Sequence, residues 1–271
     1  MIVDCHVHMM SEDPKEDFIK ALDKAGMSKA MVLAPHPNSF RFNDKDKPVT
    51  SSDRLGRLMK FASQSDRIIP IYWIDPLEDD ALKQVDMAVE AGVKGFKVIC
   101  NRHYPGDERP MMVWEHIAGV GKPILFHSGI LYSTPHASKF NRPVNFEPLF
   151  DIPKLKFAMA HVSWPWHDEC LAVFGYWSSR KQRGTTTAEL FIDTSPGTPR
   201  IYREEVMTKI YTIGYDIEDN VMYGSDCLSN YDSDYAREFI DLDSKIMKNI
   251  NVTDEMLAKY LGKNALRFLG M

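Results

Sequence analysis

Eight times along the chain, an apolar run of strand length gives way to a segment with helical spacing. The runs fall at residues 2–5, 30–33, 68–74, 93–99, 123–126, 155–160, 188–192 and 221–224. Several are too apolar to turn one face to water, and IIPIYWI at 68–74 is the clearest. Strands of that kind belong to parallel sheets covered on both faces. Between them, Asp13 and Pro14 mark a helix start, and Phe18, Ile19, Leu22 and Ala25 form a stripe ended by Gly26. Further helices are predicted over 52–63, 81–91, 113–120, 168–180, 203–211, 235–247 and 253–268, with a short helical piece near 147–150. Such alternation over 271 residues predicts an α/β fold, a (β/α)8 TIM barrel that takes residues 1–271 as a single domain. A doubly wound open sheet is the alternative, but no glycine-rich phosphate loop follows the first strand.

Composition narrows the partners. With 44% hydrophobic and 26% charged residues the chain is ordinary globular protein. A net charge of −5 without a long Lys/Arg tract gives no general pull toward nucleic acid. Cys5, Cys100, Cys170 and Cys227 are widely spread and form no C-x-x-C pair, as reduced thiols do. The first strand starts at residue 2, which leaves no room for a signal peptide, and no apolar stretch is long enough to span a bilayer. The expectation is a cytoplasmic protein with a small-molecule substrate, no nucleic-acid or membrane partner, and a homodimeric assembly.

In a barrel of this kind the chemistry sits at the C-terminal ends of the strands. The first strand ends in DCHVH, where His6 and His8 are two residues apart and so share a face. Convergent imidazoles are what a transition metal takes. The fifth strand ends in His127, the sixth in His161 and the eighth in Asp226, which completes a ligand set for a divalent ion. Lys97 lies in phase with Gly95 on the fourth strand, and Asp193 ends the seventh, there either to line the pocket or to hold a neighbouring loop. Cys5 and Cys227 adjoin ligand candidates, but neighbours on a strand face opposite ways, so both read as small buried thiols. His36, His103, His116 and His167 fall off the strand-end pattern, and most of them are expected at the surface.

The stretches DCHVH, GVKGFKV, FHSG, AHVSWP, GSDC and YLGKNALRFLG together resemble the amidohydrolase superfamily, and more narrowly its amidohydrolase-related branch of metal-dependent hydrolases, lactonases and non-oxidative decarboxylases. The resemblance runs the length of the chain. It implies that His6, His8, His127 and Asp226 hold one divalent metal, zinc first and manganese or another transition metal next. It implies that His161 lies beside the metal, as a further ligand or as the base for its water, and that Asp226 also shuttles protons. In binuclear members a strand-four lysine is carboxylated and bridges two metals. Here Lys97 continues into Val98-Ile99-Cys100, where such relatives often continue into His-Pro. A single metal follows, with Lys97 structural, paired to an inward carboxylate such as Asp4 or Asp75, or touching substrate.

Long loops at the same rim carry Arg41, Tyr132, His136, Arg142, Trp164 and Trp166. Aromatic walls with arginines suit a small, flat, anionic molecule, and Arg142, Tyr132 and Trp164 are the substrate-binding candidates. Two reactions fit one metal with a proton shuttle. One is hydrolysis of an amide, ester or lactone by a metal-activated water, which is the preferred reading. The other is non-oxidative decarboxylation of a small aromatic or unsaturated acid. A purely structural metal would close all its positions inside the fold rather than face a loop-lined mouth.

Overall fold

The computed structural model describes residues 1–9, 17–40 and 48–271, so the expected helix start at Asp13 and Pro14 lies outside the described residues, as does Arg41. Nine strand segments are described: β1 (Val3–His8), β2 (Lys29–Leu33), β3 (Ile68–Trp73), β4 (Gly95–Val98), β5 (Ile124–Phe126), β6 (Lys156–Met159), β7 (Glu189–Asp193), β8 (Val221–Met222) and β9 (Cys227–Leu228). All pair in parallel, in the order β8-β7-β6-β5-β4-β3-β2-β1-β9. β8 and β9 are two ends of one interrupted strand. β8 lies on β7 and β9 on β1, and Cys5 N–H donates to Tyr223 O at 3.1 Å between them. The sheet is therefore curled into the predicted TIM-barrel form.

Helices follow the strands: α1 (Phe18–Ala25), α2 (Ser51–Ala62), α3 (Ala81–Ala91), α4 (Glu108–Gly119), α5 (His167–Gln182), α6 (Arg203–Thr212), α7 (Ser233–Asn249), α8 (Asp254–Ala258) and α9 (Asn264–Leu269). Gly26 ends α1 at φ +74°, in the left-handed conformation that glycine takes without a Cβ penalty. The sequence places the fourth helix at 113–120, yet α4 starts five residues earlier, at Glu108. Pro110 sits in its first turn, where a backbone N–H has no intrahelical partner to lose. The predicted last helix is two pieces, α8 and α9, joined by one wide turn over Lys259–Lys263.

Alternation along the strands sorts the apolar side chains into two layers. Phe96, Val98, Phe126, Phe157, Leu190 and Ile192 pack outward against the helices. Val3, Met31, Ile71, Leu125, Ala158, Phe191 and Met222 fill the interior. Ala265 and Phe268 of α9 join that interior cluster, with Phe268 edge-on to Phe191 at 5.1 Å and Arg267 paired to Glu189 at the start of β7. α9 thereby packs at the N-terminal ends of the strands. The C-terminal ends are left for the polar groups described next. No helix among the described residues is long and apolar enough to cross a membrane.

Candidate metal centre

β1 does not alternate cleanly. Val3 and Asp4 pair with Lys29 and Ala30, but Val7 pairs with Val32, so β1 carries one extra residue as a bulge. Val3 and Cys5 point into the interior and Val7 outward, while His6 and His8 sit together at the strand end. The buried Asp4 carboxylate holds this bulge. It accepts from His6 N–H at 3.0 Å, from Ser225 N–H at 2.9 Å and from Tyr231 Oη at 2.7 Å. One carboxylate thus ties the two histidines to the turn that carries Asp226. Gly224 in that turn has no room for a side chain, since a Cβ there would lie 2.9 Å from His6 Cβ and 3.1 Å from Cys5 Sγ.

His6 Nε2 and His8 Nε2 are 3.1 Å apart, and Asp226 Oδ1 is 3.5 Å from the first and 3.4 Å from the second. A tetrahedron of ligand atoms at zinc distances has edges of about 3.3 Å, so these three donors fit three of its corners. The His/Asp cluster is of the kind that binds a metal ion, and three donors leave a position open. Electrostatics favour the ligand forms. Burial, followed by the Lys97 ammonium, pushes His6 well below the ordinary histidine value, and burial lowers His8 as well. Burial pushes the Asp226 carboxyl up, but the surrounding imidazoles outweigh it and hold the group below the carboxylate range. Neutral imidazoles facing a carboxylate are the required donors.

Asp193 fixes which nitrogen of His6 faces the cluster. Its Oδ2 takes the Nδ1–H of His6 at 2.5 Å, and its Oδ1 takes Ser195 N–H at 2.5 Å. It therefore does both things left open from sequence: it holds its own loop and it reaches the site. Lys97 is wholly buried with Nζ 3.3 Å from His6 Nε2, and burial lowers it to about 8. The expected pairing with Asp4 or Asp75 does not occur. Asp4 is occupied as described, and Asp75 takes Arg102 at 2.6 Å and Leu77 N–H.

His127 and His161 adjoin the cluster, with His161 ring centroids 5.0 Å from His6 and 4.9 Å from His127. His127 Nε2 faces Ile130 O at 3.2 Å, which leaves Nδ1 as its free donor, and burial holds the ring neutral. His161 begins a run of three left-handed residues with Val162 and Ser163. Its Nδ1 meets Ser195 Oγ at 3.0 Å, and that hydroxyl also lies 3.1 Å from His6 Nδ1. Neither Ser195 nor the His6-holding role of Asp193 is evident in sequence, although Asp193 ends a strand and so could have been paired with an inward ligand.

The substrate candidates are placed differently. Arg142 is exposed, ion-paired to Glu169 and stacked over Trp166 at 5.2 Å, so its guanidinium is already engaged. Tyr132 is exposed, and Trp164 stacks on Tyr202 at 5.2 Å. The aromatic side chain against the cluster is instead Trp73, whose ring lies 5.5 Å from His8 and 5.2 Å from Phe40. His103 and His167 are buried rather than at the surface, and His36 and His116 are half-buried. Cys5 and Cys227 are buried thiols as expected, but the bulge puts Cys5 on the interior side beside His6, against simple alternation.

The sequence profile of the Amidohydro_2 family, described as amidohydrolase, matches residues 3–271. No curated protein matches the chain. Among solved structures it is similar to a dihydropyrimidinase from Brevibacillus agri NCHU1002 (TM-score 0.63, 11% identity, 100% of this chain and 70% of that one). It is also similar to a dihydroorotase from Campylobacter jejuni (TM-score 0.57, 15% identity, 100% and 84%). A third is Amidohydrolase 2 from Bifidobacterium longum subsp. infantis (TM-score 0.56, 11% identity, 100% and 99%). At such identities the likeness is one of fold.

Proposed function

The chain belongs to the amidohydrolase family and is an enzyme of the metal-dependent hydrolase type, and from that premise we propose that it hydrolyses an amide, ester or lactone bond of a small molecule. The observation that carries this reading is the triangle of His6 Nε2, His8 Nε2 and Asp226 Oδ1, with edges of 3.1–3.5 Å. These three would hold one divalent ion and leave a position open, while His127, read from sequence as a fourth ligand, lies outside the cluster beside His161. Imidazoles with a single carboxylate suit zinc first. When bound, such an ion polarises a carbonyl and makes water acidic near neutral pH. His161 takes one proton of the attacking water at Nε2, and the ionised Asp226 takes the other and passes it to the leaving group. Trp73 packs against the His8 ring with centroids 5.5 Å apart. With Arg142 engaged by Glu169, an anionic substrate no longer follows from that residue.

The test is elemental analysis of the purified full chain beside assays on cyclic amides, lactones and aryl esters. We expect about one metal equivalent in wild type and in Lys97→Ala, and little in His6→Ala or Asp226→Asn, with hydrolysis lost alongside the metal. Two equivalents that fall in Lys97→Ala would replace the single site with a lysine-bridged pair. Wild-type protein without bound metal would refute the reading. Carbon dioxide release in place of water-dependent acid or amine formation would replace hydrolysis with decarboxylation.

A further inference from the structure

The proposed reaction asks one thing of His161: a lone pair on Nε2. The inference drawn here rests on that reading and concerns what puts the lone pair there. A neutral imidazole carries its proton on one nitrogen only, and the partner of the other nitrogen decides which. His161 Nδ1 lies 3.0 Å from Ser195 Oγ and 3.4 Å from Ser195 O. A carbonyl oxygen can only accept, so both contacts are met together only by an Nδ1–H. The hydroxyl could donate to His161 Nδ1 and defeat this, or donate to His6 Nδ1 at 3.1 Å. The second course is closed, because His6 Nδ1 already gives its proton to Asp193 and has no lone pair to offer. With that course closed the carbonyl decides: an Nδ1 lone pair turned on Ser195 O at 3.4 Å would be repelled, whereas an Nδ1–H bonds it, and the hydroxyl then accepts.

The surroundings hold this arrangement in place. Ser195 is wholly buried, and its own N–H is bound to Asp193 Oδ1. Gly197, two residues on, lies so close to His161 that a Cβ there would be 2.9 Å from His161 Cβ. His161 itself is fixed at φ +61°.

We infer that Ser195 is a positioning residue that holds His161 as its Nδ1–H tautomer and leaves the Nε2 lone pair for the reaction. The loop after β7 then sets the tautomers of two histidines that come from different strands. Asp193 sets His6 and Ser195 sets His161.

Two-bond nitrogen–proton spectra of the full chain labelled with 15N-histidine read the tautomer directly, with His161→Gln to assign the signal. The spectra are taken on zinc-loaded protein and again after EDTA. In wild type both should show His161 with a protonated Nδ1 and a bare Nε2. After EDTA, Ser195→Ala should shift His161 toward the Nε2–H form, and Ser195→Thr should restore it, since threonine keeps the hydroxyl. On p-nitrophenyl acetate, Ser195→Ala should lower kcat roughly ten- to hundredfold with KM and zinc content unchanged. A wild-type His161 protonated on Nε2, or one that flips when EDTA removes the metal, would overturn the inference. So would a Ser195→Ala spectrum identical to wild type. Wild type that binds no zinc refutes the functional reading instead, and the EDTA spectra still decide the role of Ser195.

Discussion

An imidazole offers a metal one nitrogen and needs its other nitrogen held, or the ring swings and the donor is lost. For His6 the holder is Asp193, and the bond is between a buried carboxylate and a ring that burial keeps neutral. Asp193→Ala removes the acceptor of the Nδ1–H and leaves a small space under His6. The ring can then adopt either tautomer, and only one of them presents a lone pair at Nε2. Metal affinity should fall about 10- to 100-fold, the usual size for loss of such a partner. Competition with a chelator of known affinity measures it, and an unchanged affinity would remove Asp193 from the centre. Lys97 competes for the same lone pair from the other side, 3.3 Å from Nε2, and its lowered pKa of about 8 eases loss of its proton when a cation arrives.

At the scale of elements, the loop after β7 is fixed from below by a buried ion pair. Arg203 at the start of α6 is gripped by Asp243 of α7 through Nε at 2.8 Å and Nη2 at 2.7 Å. Its Nη1 donates to Thr194 O at 2.6 Å, and Tyr260 Oη donates to Asp243 at 2.5 Å. Thr194 stands between Asp193 and Ser195, so two helices and the turn at Tyr260 converge on the loop that orients both histidines. Asp243→Ala would strand the guanidinium in the core and should cost about 3–5 kcal/mol in urea unfolding. A loss below 1 kcal/mol would mean that water reaches Arg203. None of this was legible in sequence, because Arg203, Asp243 and Tyr260 sit on helical segments where charged and polar residues are ordinary surface. What was legible followed from periodicity. Strands of the right number and place emerged because each is buried on both faces, and His6, His8 and Asp226, which the fold brings together, could be picked out because strands end where their apolar runs end. The bulge in β1 was not legible, since it depends on Asp4 being held by Ser225 and Tyr231, more than 200 residues away. Nor was the pairing of Arg142 with Glu169, which needs α5 to pack beside the loop after β5.

At the scale of the whole molecule the barrel is asymmetric. α9 packs at one end, and buried histidines gather toward the other. Those histidines make stability depend on pH, and His103 in the segment between β4 and α4 gives the cleanest measure because it is away from the candidate ligands. It is 3% exposed, and neither ring nitrogen has a hydrogen-bond partner among the described residues. Burial lowers its pKa from 6.5 to about 4, against the pull of Asp75 and Asp107. The folded protein therefore keeps His103 neutral over a range in which the unfolded chain binds a proton. Its contribution is present in full above the unfolded value near 6.5 and is lost as pH falls from there toward 4. By pH 5 the loss is about 2 kcal/mol. Phenylalanine fills similar space and cannot be protonated, and with no hydrogen bond to forfeit it should leave stability at pH 7.5 within about 1 kcal/mol of wild type. At pH 5 the His103→Phe chain should then be the more stable by about 2 kcal/mol. Urea midpoints at the two pH values measure the difference directly. Parallel losses in both chains would show that His103 is solvated or hydrogen-bonded and that the acid sensitivity of the fold arises elsewhere, whereas converging curves at pH 7.5 and diverging ones at pH 5 would assign it to this ring.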